Sequence, residues 1–209
     1  MNGRRRYDAL FDWAMKLSAC GAVSYFIARA ILMYLDDPSR ITLLLAIISE
    51  LATILILLAS RRPLKKDWHV VAVAATLYAV AIYPLCLDVA PGIKLLSERI
   101  GLALQSAGFL WAIHAKLTLG RSFGLLPADR GIVRKGPYRF VRHPIYLGYL
   151  ITHIGFLSVN FTPQNAVVLV ALYAAQIYRI HREELTLSAN NDYRRYREDV
   201  RYRLIYGLF

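Results

Sequence analysis

Residues 136–150, GPYRFVRHPIYLGYL, join a basic turn directly to an apolar run. Pro144 is well suited to the first turn of a helix, and it keeps the residue before it out of helical geometry. The sequence therefore predicts that a helix begins at this proline and that Arg142, His143 and Tyr146 surround its start. The first N–H groups of a helix point to the same place and favour an anion such as a carboxylate.

The whole chain has the composition of a membrane protein. Its 209 residues are 57% hydrophobic and carry a net charge of +12, whereas soluble domains contain fewer apolar residues. A helix that crosses a bilayer needs about 20 mostly apolar residues. Four runs approach this length and two shorter ones follow, at 13–35, 41–59, 68–88, 99–115, 145–160 and 164–179. We predict an all-α, polytopic integral membrane protein with about five to six transmembrane helices, the last two forming a helical hairpin.

Basic residues alternate between the two ends of these runs. Four clusters are basic: Arg4, Arg5, Arg6 and Lys16; Arg61, Arg62, Lys65 and Lys66; Lys116 through Arg142; and Arg179 through Arg203. The other connections hold only Arg40, Lys94 and Arg99. Because cytoplasmic loops collect Lys and Arg, this pattern predicts an even number of crossings with both termini in the cytoplasm. It explains the basic charge without a nucleic-acid partner, and the short loops favour a bacterial inner membrane.

The chain reads as one domain with two halves. Residues 1–115 are the first four predicted helices, and residues 116–209 hold a polar segment, the hairpin and a charged tail. Long charged loops at a membrane surface usually serve a site, so we place the chemistry in the second half. The tail NNDYRRYREDVRYRL, residues 190–204, is predicted to be an amphipathic cytoplasmic helix on the membrane surface, either a lid over a pocket or a simple anchor.

Two ionisable residues lie inside the first half. With about 1.5 Å of rise per residue, Arg29 and Glu50 are at similar depths in adjacent antiparallel helices and close enough to pair. An intramembrane charge is a functional hint, but an interhelical ion pair or an arginine that reaches outward is the plainer interpretation. Cys20 and Cys86 are expected at different depths and unbridged, and no Cys/His cluster has the spacing of a metal site.

A second motif, HREELTL at residues 181–187, places Glu183 beside Glu184 at the end of an apolar run. Neighbours on a helix point about 100° apart, so one carboxylate can face the bundle while the other faces water or an arginine. Arg179 lies one turn before Glu183 and can share its face. A solvated charge run is the plainer interpretation, but the pattern also suits a zwitterionic ligand.

GPYRFVRHPIYLG, followed by a hairpin and then RIHREELTL, resembles the catalytic half of the isoprenylcysteine carboxyl methyltransferase family. These are integral membrane enzymes related to the phospholipid N-methyltransferases, and the resemblance covers roughly residues 117–204. It implies S-adenosylmethionine-dependent methyl transfer at the cytoplasmic face of the membrane. The family's amino-terminal helices match this chain only in being membrane helices.

The resemblance also implies roles for individual residues. Glu183 would bind the amino group of the cofactor and Glu184 would support the site. Arg179 would face the substrate, and with Glu184 and His143 it forms the implied catalytic set. The remaining implied cofactor contacts are Ile132, Val133, Tyr138, His143, Pro144, Ile145 and Tyr146. A carboxylate or thiolate acceptor needs no general base, whereas a phenol or amine would need one, with His143, Glu184 or His181 as candidates.

The acceptor is left open by the sequence. Prolines common in the family's tail are missing after Val200, and Arg130 stands where some members have a polar aromatic residue. The candidates are a prenylated cysteine carboxylate, an amino-headed phospholipid, a lipid-tailed phenol and a small thiol. Two other classes remain as alternatives: an NADPH-dependent membrane reductase of related architecture, and a transporter or scaffold, against which the lack of an internal repeat counts.

Overall fold

The computed structural model describes residues 2–59, 65–66, 69–120, 128–129 and 132–209. The prediction of an all-helical protein is confirmed, since strands in these ranges are limited to two residues each. The elements are α1 (Asn2–Asp36), α2 (Ile41–Ala59), β1 (Lys65–Lys66), α3 (Val70–Leu77), a π-helical turn (Tyr78–Ile82), α4 (Tyr83–Cys86), α5 (Glu98–Leu119), β2 (Ala128–Asp129), a 3₁₀ turn (Gly136–Arg139), α6 (Pro144–Val159), α7 (Pro163–Leu187) and α8 (Asn191–Asp199).

The helices coincide with the apolar runs, but only some of them approach the length and apolar composition that a membrane-spanning helix needs. Within the described chain, one helical stretch, Trp13–Asp36, is both long and apolar enough to span a bilayer. Three shorter apolar helical stretches cover Ile41–Leu55, Val70–Cys86 and Pro144–Val159. The number of crossings therefore stays a prediction.

The third apolar run contains a π-helical turn that the sequence pattern did not predict. Pro84 has no backbone N–H, and its ring clashes with the carbonyl four residues earlier, at Val80. The π turn Tyr78–Ile82 spans that position and keeps α3 and α4 in one continuous rod. Tyr83, directly after the π turn, is buried in the bundle.

Glycines bring α5 and α6 into close antiparallel contact. A Cβ added at Gly108 would lie 2.5 Å from the backbone nitrogen of Thr152, and one at Gly155 would lie 2.8 Å from that of Gln105. Small residues allow helices to approach at the level of their backbones. The two helices therefore form one rigid unit, which places the end of α5 beside the start of α6.

A polar network closes the end of the bundle at which α6 passes into α7. Arg40, which is buried, donates to the side chain of Asn160. The Nδ2 of Asn165 donates to the carbonyls of Asp88 and Asn160, both at 2.9 Å, and its Oδ1 accepts from the backbone N–H of Asp88 at 2.8 Å. This network joins three connections: α1 to α2, α4 to α5, and α6 to α7.

Of the two plainer interpretations of Arg29, the ion pair with Glu50 is wrong, and the structure agrees with an arginine that reaches outward. Arg29 instead reaches Asp88 at 3.5 Å and donates to the carbonyl of Leu87 at 3.2 Å. Its long side chain can extend toward the end of the bundle, where a carboxylate and a carbonyl lie together. Glu50 of α2 lies within electrostatic range of Lys116 of α5.

Candidate active site

An apolar cluster forms where α5 and α7 end and α6 begins. We call it the site cluster; its buried members are Ala115, Tyr138, Ile145, Leu187, Tyr193 and Tyr196. Ile132 and Val133 are partly buried and pack against it. The structure thus brings together four of the residues singled out in the sequence, Ile132, Val133, Tyr138 and Ile145, from an extended segment, a turn and a helix.

The turn that carries Tyr138 depends on a glycine. Gly136 has a φ of +54°, a conformation that other residues adopt at a cost. A Cβ there would also lie 2.9 Å from the Oγ1 of Thr118 on α5. Pro137 follows at the second position of the 3₁₀ turn, where its fixed φ is compatible with the helix. Together they hold Tyr138 against the end of α5.

Glu184 is the centre of a buried ionic cluster. Its Oε1 accepts from the Nε of Arg142 at 2.7 Å and lies 3.3 Å from the Nε2 of His143, while its Oε2 accepts from the Nε of Arg203 at 2.9 Å. Burial by itself raises the pKa of Glu184, but the hydrogen bonds from His143, Arg142 and Arg203 outweigh it. The net effect holds the pKa well below its ordinary value, so this carboxyl is ionised and fully engaged.

Glu183, the adjacent carboxylate, has different surroundings. Its side chain is half-buried and makes no hydrogen bond or ion pair with any residue that the structure describes. It lies within electrostatic range of Tyr138 and Tyr193 in the site cluster, where burial and then Glu183 raise the pKa of the Tyr138 hydroxyl. A carboxyl group with no ion pair among the described residues therefore stands at the edge of an apolar, aromatic surface.

The tail packs over the site cluster. Tyr196 of α8 donates to the carbonyl of Tyr138 at 2.7 Å. Beyond α8, the backbone N–H groups of Arg142 and His143 donate to the carbonyls of Tyr202 and Arg203 at 2.9 and 2.8 Å. Of the two predicted roles for the tail, these contacts favour a cover for the site over a simple anchor.

Arg179 and His143 lie on either side of Tyr146. The guanidinium of Arg179 is 5.7 Å from the centre of the Tyr146 ring, and its Nη1 donates to the Oε1 of Gln176 at 3.0 Å. The rings of Tyr146 and His143 are 5.9 Å apart. Arg179 is buried and His181 exposed, so the former faces the site and the latter faces away from it.

The start of α6 carries no side-chain cap. Pro144 occupies the first position and is buried, and His143 at the cap position makes no capping hydrogen bond. A helix start without a cap keeps N–H groups available to an anion. The geometry is therefore compatible with a ligand that presents a carboxylate to α6 and an ammonium to Glu183.

Several residues at the site were missed in the sequence. Arg203 completes the ionic cluster from far along the chain, and nothing in its neighbourhood marks it. Tyr149, which packs against the site cluster, does carry a signal, since it follows Tyr146 by three residues and so shares one face of α6 with it. His153 lies on the same face four residues further on, deeper in the bundle. Among the earlier predictions, those that concern Arg61, Arg62 and Arg130 fall outside the described residues.

A comparison with known families bears on this half of the chain. The model of the isoprenylcysteine carboxyl methyltransferase (ICMT) family matches residues 99–189, from the start of α5 to just past the end of α7. Comparison with curated proteins finds no match. The matched segment contains both motifs and confirms the predicted resemblance. Through α5, α6 and α7 the chain is therefore similar to the isoprenylcysteine carboxyl methyltransferase family, whose members are methyltransferases of the membrane.

Proposed function

We propose that the protein transfers a methyl group from S-adenosylmethionine to a lipophilic acceptor. The observation that carries this proposal is the contrast between two neighbouring carboxylates. Glu184 is engaged by Arg142, His143 and Arg203, whereas Glu183 stands beside the site cluster with no ion pair among the described residues. A carboxylate in that position suits the ammonium of a methionine moiety.

The residues present fit this cofactor. Its carboxylate suits the uncapped start of α6. Its adenine and sulfonium suit an apolar and aromatic wall of the kind that Tyr138, Ile132 and Val133 form. The hydroxyl of Tyr193 is buried and has no hydrogen-bond partner in the described structure, so it offers one more polar contact at the same surface.

The cofactor, when bound, supplies an electrophilic methyl group. The chain's own residues then have mainly a positioning task, because displacement at carbon requires the nucleophile within about 3 to 3.5 Å and in line. The tail and the site cluster exclude water, which strengthens electrostatic interactions inside. Arg179 orients the acceptor by facing its carboxylate or developing charge.

Glu184 serves as a positioning residue in this proposal. A carboxyl whose pKa is lowered and which accepts hydrogen bonds from two arginines and a histidine is a weak base at neutral pH. It instead holds His143 and Arg142 at the start of α6. His143 is the residue that would take a proton from a phenol or amine acceptor, and a carboxylate or thiolate acceptor needs no such step.

We further propose that the site faces the cytoplasm of a bacterial cell, with the helices crossing the inner membrane five to six times. The support is the alternation of basic residues, since the site end of the bundle carries Lys116, Arg142 and the Arg-rich tail. The opposite end has few basic residues. The acceptor then reaches the site sideways from the bilayer.

Calorimetric titration of the purified protein with S-adenosylhomocysteine tests the proposal. We expect saturable binding to the wild type and at least a tenfold weaker affinity for Glu183→Gln, since a hydrogen bond to a charged group contributes roughly 1.5–3 kcal/mol. The control is Glu198→Gln, which removes the same charge from an exposed position in α8. Folded wild-type protein that binds no S-adenosylhomocysteine would overturn the proposal.

A further inference from the structure

A row of aromatic side chains leads from the site into the bundle along one face of α6. The ring of Tyr146 lies 5.9 Å from that of His143, Tyr149 lies 6.5 Å from Tyr146, and His153 lies 6.5 Å from Tyr149. We call these four residues the aromatic row. From His143 to His153 it covers ten residue steps, or about 15 Å of helix.

The row ends in a hydrogen-bonded group of three residues. The Nε2 of His153 is 2.8 Å from the hydroxyl of Tyr83 in α4, and its Nδ1 is 2.7 Å from the hydroxyl of Tyr173 in α7. Tyr83 is buried, while His153 and Tyr173 are half-buried. Both ring nitrogens of the histidine are therefore occupied by tyrosine hydroxyls.

This group has one more hydrogen-bond donor than its two hydrogen bonds use. A neutral histidine carries one N–H, and each tyrosine carries one O–H. These three hydrogens serve two contacts, so one tyrosine hydroxyl must point its hydrogen elsewhere. A protonated His153 would leave two such hydrogens instead of one.

The described surroundings do not accept this hydrogen. Tyr83 and Tyr173 each make a single side-chain hydrogen bond, the one to His153. Glu50 lies within electrostatic range of Tyr83 but forms no hydrogen bond with it. Lys116, over the ring of Tyr149, brings only further donor hydrogens. A buried donor with no acceptor is costly in an apolar environment.

From this we propose that the methyl acceptor is a lipophilic molecule that carries a hydrogen-bond-accepting oxygen at the depth of His153. The inference rests on the proposed function, because it assigns the acceptor of that site. The reacting group would lie near Arg179 and Tyr146, and the oxygen would lie about 10 to 15 Å deeper along α6. A purely hydrocarbon chain at that depth would leave the tyrosine hydrogen unpaired.

Two fatty acids provide matched probes. One is stearate, and the other is the same chain with a ketone in its middle, about 10 to 15 Å from the carboxylate when extended. Binding is measured by calorimetry on protein in lipid nanodiscs, with empty nanodiscs as the blank. We expect the mid-chain ketone to bind about tenfold more tightly than stearate, and a ketone beside the carboxylate to give no such gain.

The variant must remove all three polar groups at once. Replacement of either tyrosine by phenylalanine alone leaves two hydrogens for one contact, so one donor remains unpaired. In the triple variant Tyr83→Phe, His153→Leu and Tyr173→Phe no donor remains, and replacing every partner by an apolar group is nearly neutral for stability. The preference for the ketone should disappear there. It should persist in Tyr78→Phe, which removes a hydroxyl that donates to the carbonyl of Val168.

The proposal fails if wild-type protein binds stearate and the mid-chain ketone equally, or binds neither. Equal binding would mean that water or a protein group takes the tyrosine hydrogen. It also fails if the ketone preference survives in the triple variant. Titration of the same samples with S-adenosylhomocysteine reports separately on the proposed function, and on whether the triple variant is folded.

Discussion

The two adjacent carboxylates in α7, Glu183 and Glu184, differ in the hydrogen bonds and ion pairs that surround them. Glu184 is buried between Arg142, His143 and Arg203, whereas Glu183 faces the site cluster without an ion pair among the described residues. The helical rotation of about 100° between neighbours separates them. The same chemical group is therefore held by three side chains at one position and makes no ion pair with a described residue at the next.

We predict that Glu184→Gln strongly destabilises the protein. The side chains of Arg142 and Glu184 are each 5% exposed, and removing one partner of a buried pair leaves the other charge uncompensated, at a cost of about 3 kcal/mol. Glu183→Gln is the matched control and should change the free energy of unfolding by less than about 0.5 kcal/mol. Denaturant unfolding in detergent measures both. Equal losses in the two variants would contradict the assignment of Glu184 as the structural carboxylate.

The contribution of Glu184 should also depend on pH, with a definite sign. Its pKa in the folded protein lies below the ordinary value of 4.5. A group with a lowered pKa stabilises the fold at pH values above 4.5, and this stabilisation is lost as the pH falls from there toward the lowered pKa. The difference in Tm between wild type and Glu184→Gln should therefore be constant near neutral pH and shrink in acid. A difference that grows on acidification would show that the carboxylate is not held in its ionised form.

At the scale of elements, the contact between α5 and α6 positions the site. Gly108 and Gly148 face Thr152 and Ala112 so closely that an added Cβ would lie 2.5 to 2.8 Å from backbone atoms. The start of α6, with His143 and Pro144, is thereby fixed beside the end of α5. The glycines recur at intervals of seven residues, at 101 and 108 and at 148 and 155. That spacing was a signal in the sequence.

We predict opposite effects for the same substitution in two helices. Gly108→Ala should destabilise by about 1 to 3 kcal/mol, because the new methyl group meets backbone that must shift. Gly21→Ala in α1 has nothing within 4 Å of the new Cβ and should be neutral or stabilise by up to about 1 kcal/mol. Thermal unfolding of the two variants tests this. If Gly108→Ala were as stable as Gly21→Ala, the close approach of α5 and α6 would be refuted.

In the molecule as a whole, different kinds of interaction hold the two ends of the helix bundle together. The end opposite the site is tied by neutral amides and backbone groups around Asn165, which is fully buried. The site end is tied by the ionic cluster around Glu184 and by the tail. One end therefore holds the helices in register, while the other carries the groups that we propose bind the cofactor, Glu183 and the uncapped start of α6.

We predict that Asn165→Ala lowers stability without changing the site. It removes three hydrogen bonds, one buried and two partly buried, and leaves backbone groups of Asp88 and Asn160 without those partners, at a cost of about 3 kcal/mol. Affinity for S-adenosylhomocysteine in the folded fraction should stay unchanged. Gln164→Ala, which removes one exposed hydrogen bond to the carbonyl of Cys86, is the control and should have little effect on Tm. A lower affinity in a folded Asn165→Ala sample would show that the two ends are coupled.

The sequence alone predicted the apolar helices, the half of the chain that carries the family motifs, and four residues that meet at the site cluster, Ile132, Val133, Tyr138 and Ile145. It could do so because apolar length, proline position and motif spacing are local properties. Only the tertiary structure decided that Arg29 pairs with Asp88, that Arg203 completes the ionic cluster and that Tyr83 and Tyr173 share His153. These contacts join residues 19 to 70 positions apart. They depend on how helices approach and rotate, and no periodicity along the chain encodes that arrangement.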